Sequence, residues 1–279
     1  MRKRLLCGLI VIFGTGANGQ WLNYPTPGTP RTKDGKPNLT APAPRAAGKP
    51  DLSGLWQPEP AQPGENHGLF ESLGAFVVPG DDPTTFSKYF FSVLADFKPA
   101  ESPLRAAAAE LVRKRGEALG RDNPTSHCLP MGLPGLHLIP SPYKIVQTPS
   151  LVMFLYETVN NTFRQVYTDG RKLPADFQPA WMGYSVGKWE GDTLVIESAG
   201  FNDKVWLDGF GTPSSETLHL QERFRRLDFG HMELQVTIDD PKTFTKPFSF
   251  KLNQRLVPDS DVLETVCAEN ERDVPHLGR

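Results

Sequence analysis

The chain predicts a mainly β fold, an antiparallel up-and-down meander closed into a barrel, with a small helical segment before it. Three observations carry this. First, eight segments rich in β-branched and aromatic residues follow one another at short spacing: 143–148, 151–157, 162–168, 182–189, 193–198, 217–226, 231–238 and 247–257. Second, turn residues separate them, with Asn160-Asn161, Glu190-Gly191-Asp192 and Phe229-Gly230 as short joints, and short joints make antiparallel neighbours. Third, apolar residues alternate with polar ones. Met232, Leu234, Val236 and Ile238 share one face of their segment, while His231, Glu233, Gln235 and Thr237 share the other. Phe248, Phe250, Leu252 and Leu256 repeat the pattern. About eight strands with one dry face must close or be covered, because open edges invite aggregation. A barrel is the first expectation and a sandwich the second.

The segments before the meander follow in order. Arg2, Lys3 and Arg4, the apolar run Leu5 to Phe13 and the small residues Thr15 to Gly19 read as a secretory leader over 1–19, so an exported, periplasmic or secreted protein is expected. The apolar run is too short to span a bilayer, which takes about 20 residues. Cys7 lies inside that run rather than after it, which argues against a lipid anchor. Residues 20–50 carry seven prolines and read as an extended arm, unable to pair as strand or wind as helix. From Asp51 to residue 279 a single β-rich domain is expected, opening on a strand at Gly54-Leu55-Trp56 and interrupted by a helical insertion at about 82–120. Within the insertion, Asp82-Pro83 and Ser102-Pro103 match a capping residue with proline in the first turn, and Leu104 to Arg115 is rich in helix formers.

Charge narrows the partners. Loss of the leader leaves 27 cations against 32 acids, a net charge of about −5, which argues against nucleic acid. No second long apolar stretch is present, so no membrane span is expected in the mature chain. Cys128 and Cys267 remain after cleavage, and in an oxidising compartment they are expected to pair, a loop closure that contributes about 4 to 5 kcal/mol in the chain-entropy account. Neither belongs to a CxxC or to a zinc-ligand spacing.

Gly54-Leu55-Trp56 ahead of a meander resembles the GxW element that opens lipocalin and calycin barrels. A wider set of motifs covers nearly the whole mature chain: Pro50 to Trp56, Cys128-Leu129-Pro130, Ile145 to Pro149, Phe163-Arg164-Gln165, Tyr167 to Arg171 and Trp181 to Gly187. It continues through Trp189 to Leu194, Gly200-Phe201-Asn202-Asp203, Trp206-Leu207-Asp208, Glu222 to Arg226 and Thr237 to Pro241. Together they resemble a family of exported proteins of acidobacteria and proteobacteria. That family often has a His where this chain has Ser214, so the resemblance implies that any chemistry resting on that His is missing here.

Two functions follow from the residues. The aromatics Trp56, Trp181, Tyr184, Trp206 and Phe210 suit a barrel that binds a small, partly apolar ligand. Asp203, Asp208, Glu216 and His219, on or beside the long connection 200–216, suit an enzyme working by acid, base or metal, a hydrolase or isomerase. Glu216 and His219 diverge on the expected strand, which weakens a direct pair between them. Asp239-Asp240-Pro241 reads as a capped turn rather than a calcium loop. No motif names a cofactor, and metal content and oligomeric state stay open.

Overall fold

The computed structural model describes residues 24–62, 86–158 and 161–267. The expected leader and the Asp82-Pro83 pair lie outside them. The elements are β1 (Arg45–Ala46), β2 (Lys49–Pro50), β3 (Gly54–Pro58), α1 (Ala106–Glu117), β4 (Tyr143–Gln147), β5 (Leu151–Tyr156) and β6 (Phe163–Tyr167). They continue with β7 (Tyr184–Glu190), β8 (Thr193–Ala199), β9 (His219–Arg226), β10 (His231–Asp239) and β11 (Phe248–Leu256). Strands β3 to β11 close into a barrel in chain order, with β11 pairing back onto β3.

Nine strands cannot close with every neighbour antiparallel, since direction would have to alternate around a ring of odd number. The exception is β6 and β7, which run parallel with Val166 opposite Ser185. A parallel pair needs a crossover of a dozen residues or more, and 168–183 supplies it by running back along the barrel. The meander expected from sequence is therefore present with one crossover in it.

Alternation assigns the faces. Strand β11 has Phe248, Phe250, Leu252, Gln254 and Leu256 buried and the residues between them exposed. Across the ladder, Met232, Leu234, Val236 and Ile238 of β10 stand opposite Gln254, Leu252, Phe250 and Phe248. The short joints 148–150, 191–192 and 227–230 gather at one end, called here the hairpin end. The connections 200–218 and 240–247, and the ends of 59–142 that join β3 and β4, lie at the other, the cap end.

The N-terminal segment lies against the hairpin end. Arg31 pairs with Asp259, Arg45 bonds Asp192 at 2.8 Å, and the amides of Phe229 and Gly230 donate to Ala41 and Leu39. The expected unpaired arm is corrected in part: β1 and β2 form a small hairpin across Ala47 and Gly48, both with positive φ. Pro50 stands in β2 opposite Arg45, at a position where the ladder takes no bond from its nitrogen, and the next bond runs from the Asp51 amide to the Pro44 carbonyl, so the proline-rich composition does not forbid the hairpin.

The helix is shorter than its capping signals suggest. It starts at Ala106, with Arg105 as N-cap and no side-chain cap, rather than at Ser102-Pro103. The reason is tertiary: Leu104 bridges Phe244, and the Arg105 amide donates to the Thr243 carbonyl at 3.0 Å, which holds the first turn extended.

Cys128 and Cys267 form a disulfide with Cα atoms 5.6 Å apart and a sequence separation of 139. It ties the C-terminal stretch to the loop leading into the cap. Replacing both cysteines with serine is expected to lower the unfolding free energy by about 3 to 5 kcal/mol, read by guanidinium titration. An unchanged midpoint would mean that the denatured chain is already constrained elsewhere.

Candidate functional site

Two places combine polar chemistry with an apolar setting, the barrel lumen and a cleft at the hairpin end.

The lumen is closed from the cap end by a plug, residues 132–139, every one of them buried. Leu133, Leu136 and Leu138 supply its apolar surface, and a short 3-10 turn over Gly135–His137 points His137 inward. The imidazole stands edge-on to Tyr143, Phe154, Tyr156 and Phe224, with ring centroids 5.0, 5.6, 5.5 and 5.6 Å away. Its Nε2 lies 3.0 Å from Oε1 of Glu222 and 3.3 Å from the Tyr156 hydroxyl. Arg164 grips the same carboxylate in a bidentate fork and also donates to Ser185 at 2.9 Å and Ser198 at 2.7 Å. Three inward-pointing charged or titratable groups thus share one fully buried site.

Burial alone would raise the Glu222 pKa, but the Arg164 charge and the His137 hydrogen bond overcome it and hold the carboxyl down at about 2. For His137 burial wins: it lowers the pKa despite the neighbouring carboxylate, and the imidazole stays neutral. Burial also pushes the Tyr143 and Tyr156 hydroxyls up, so both remain protonated. With Nε2 donating to Glu222, Nδ1 carries a lone pair, and among the described residues neither Nδ1 nor the Tyr143 hydroxyl has a hydrogen-bond partner. Buried polar atoms without partners are uncommon enough to mark a site.

The residues singled out from sequence lie elsewhere. Asp208 is buried at the cap end, accepting from the amides of Val93, Phe210 and Thr212 and from the Thr212 hydroxyl at 2.6 Å. These bonds staple the insertion to the 200–218 connection. Burial outweighs them and raises its pKa. Glu216 is exposed and pairs with Lys242, His219 meets Glu197 at 3.1 Å on the barrel exterior, and Asp203 is exposed in a turn. Each has its own partners or setting, and among the described residues no group of three or more His, Cys, Asp or Glu is placed to hold a metal. Ser214 is buried and donates to the Val205 carbonyl at 2.9 Å.

The aromatics divide between the two ends. Trp56 is fully buried toward the hairpin end beneath Arg226, whose guanidinium lies 4.9 Å from its ring. Trp206 is buried at the cap end beneath Arg115, at 4.5 Å. Phe210 faces Phe91 at 5.7 Å, Tyr184 stacks on Tyr167 at 5.4 Å, and Trp181 is half-buried in the crossover.

The cleft at the hairpin end has a volume of about 600 Å³. Its walls include Tyr24, Pro27, Pro44, Leu55, Phe229 and Val257, with Ser53, Lys144, Asp261 and Arg226 as polar groups. Lys144 Nζ lies 2.8 Å from both carboxylate oxygens of Asp261. Arg226 donates to the carbonyls of Asp51, Ser53, Asp228 and Phe229; burial lowers its pKa to about 10, so it stays charged at neutral pH. Gly54 sits at the rim with φ +144°, where a Cβ would come within 2.6 Å of Leu256, so the close approach of β3 to β11 requires glycine.

Glu222, Arg164 and His137 were not among the residues singled out from sequence. The signal for the first two was available: Leu218, Leu220 and Phe224 place Glu222 on the dry face of its segment, and Val166 does the same for Arg164. The signal for His137 is weaker, an unusually apolar loop from Leu133 to Ile139.

The fold is a closed nine-stranded barrel, mainly antiparallel and consistent with a lipocalin-like one. Comparison of the chain with protein-family models, with curated proteins and with solved structures gave no match.

Breaking the lumen pair should be costly. Glu222→Ala leaves Arg164 charged and unpaired in the core and is expected to cost about 3 to 5 kcal/mol, whereas Arg164→Met with Glu222→Leu is expected to recover most of it. Urea titrations of the two variants check this, and equal losses in both would contradict it.

The pH dependence has a definite sign. A folded His137 pKa below the unfolded 6.5 means that the unfolded chain binds the extra proton, so stability falls as pH drops below about 6.5. Glu222, held at about 2 against 4.5 unfolded, adds a second loss between those values. Thermal midpoints of the protein and of His137→Gln should run parallel above about pH 6.5 and diverge as the pH falls from there to 4.5; curves parallel throughout would remove His137 as the cause.

Proposed function

We propose that the protein is an exported binding protein for a small, partly apolar molecule, held in the cleft at the hairpin end. The observation that carries this reading is the cleft itself. About 600 Å³ lies within the range of small-molecule sites, and apolar walls with a few convergent polar groups are their usual lining. Tyr24, Pro27, Leu55, Phe229 and Val257 bury the apolar part of a ligand, and Lys144, Asp261 and Ser53 orient its polar end. The guanidinium of Arg226 over Phe229, at 5.2 Å, makes one wall rigid. A disulfide joining distant parts of the chain suits the oxidising compartment to which a leader would deliver it. The resemblance to exported bacterial proteins and to lipocalins supports the same reading.

The enzyme alternative built on Asp203, Asp208, Glu216 and His219 draws less support, because their partners are separate. In the binding reading Trp56 acts through Arg226, which it supports from below.

Native mass spectrometry of the mature protein taken from its own cell envelope, beside a denatured sample, tests the proposal. An organic adduct lost on denaturation is expected, and Ser260→Trp, which puts a large ring at a residue lining the cleft, is expected to abolish it without changing the far-ultraviolet circular dichroism. Absence of an adduct, or an adduct that Ser260→Trp leaves in place, would overturn the cleft as the site.

A further inference from the structure

We propose that the lumen is a second binding site, for a neutral planar azole-type heterocycle, and that the His137 side chain occupies it in cis. The surroundings of the imidazole are those of a recognition site for such a ring. Tyr143, Phe154, Tyr156 and Phe224 form an aromatic box in which each neighbour meets the ring edge-on, the arrangement that aromatic quadrupoles favour. A single carboxylate oxygen, Oε1 of Glu222, receives the ring N–H at 3.0 Å.

The class of guest follows from the charges. A carboxylate in an aromatic box would ordinarily select a cation. Here Arg164 already neutralises Glu222 through a bidentate fork. The site therefore favours a neutral N–H donor, and the resident imidazole is itself held neutral. A guest needs a donor at one edge for Glu222 and an acceptor at the other for the Tyr143 hydroxyl, which an azole has.

The resident fits this box incompletely. His137 Nδ1 and the Tyr143 hydroxyl are both buried and, among the described residues, unpartnered, although their rings are 5.0 Å apart. A ring tethered to the backbone cannot tilt to join them, and an untethered one can. The plug backbone also has little hold on the barrel. The amides of Leu136, His137, Leu138 and Ile139 all bond within the plug, to Gly132, Pro134 and Gly135, while the Leu138 carbonyl accepts from Ser87 Oγ at 2.7 Å. Side chains rather than ladder bonds seat the plug, so it is built to exchange with a guest.

Cavity complementation tests the assignment. His137→Gly leaves an imidazole-sized space, and imidazole and thiophene, the second lacking an N–H, serve as probes. Imidazole is expected to bind saturably and raise the thermal midpoint, with an affinity about tenfold to a hundredfold above that of thiophene, the range of one hydrogen bond to a charged group. Equal binding of the two probes, or binding of neither, would overturn the proposal. Should the glycine variant not fold, saturation-transfer NMR on the unaltered protein decides. Transfer from protein aromatic protons to imidazole and not to thiophene supports it, and no transfer to imidazole overturns it.

Discussion

The bidentate pair between Arg164 and Glu222 is the constraint on which the rest of the barrel turns. Two ions taken wholly out of water recover their desolvation cost only when geometry is good and the remaining donors and acceptors are satisfied. The barrel meets both conditions with side chains from four consecutive strands. Arg164 comes from β6, its serine partners from β7 and β8, and Glu222 from β9. These four strands span the one parallel pair, the place where a ring of nine strands departs from alternation. The crossover 168–183 therefore serves the lumen as well as topology, because it sets Ser185 of β7 beside Val166, two residues along β6 from Arg164.

From that pair the architecture extends toward the cap end. Oε1 of Glu222, which also takes one arm of the Arg164 fork, receives His137 of the plug. Outside the plug, Asp208 and Asp240 do the work of fastening. Asp208 joins the 200–218 connection to Val93, and Asp240 gathers Ser215, Thr217 and Thr243. Arg115 reaches from α1 to the Gly211 carbonyl and across Trp206. At the opposite end Arg226 performs the matching task on Trp56 and four carbonyls. The cleft opens on that side, so the two candidate sites occupy different ends of the barrel and are chemically distinct.

Much of this was legible in the sequence because alternation is a local property. The segments around Met232 to Ile238 and Phe248 to Leu256 could fold in one register only with their apolar faces inward, and that is what they do. Other features depended on distant residues. The start of α1 was set by a bridge from Leu104 to Phe244, which no capping pattern could reveal. The proline-rich segment acquired its short hairpin through two positive-φ residues and its fixed position through Asp259 and Asp192. Attention to loop aromatics and loop carboxylates missed the lumen because polar residues are commonly read as solvated. Glu222 and Arg164 instead lie on buried faces beside Leu220, Phe224 and Val166, and their opposite charges are what allows them to be there.

The central claim is that the buried charge pair seats the plug. Residue-resolved amide hydrogen exchange tests it most directly, comparing the protein with its Arg164→Met, Glu222→Leu double variant. The account predicts that the Leu136, His137, Leu138 and Ile139 amides lose protection in the variant while the ladder between β10 and β11 keeps it. Retained protection across the plug, or equal loss throughout the barrel, would contradict it.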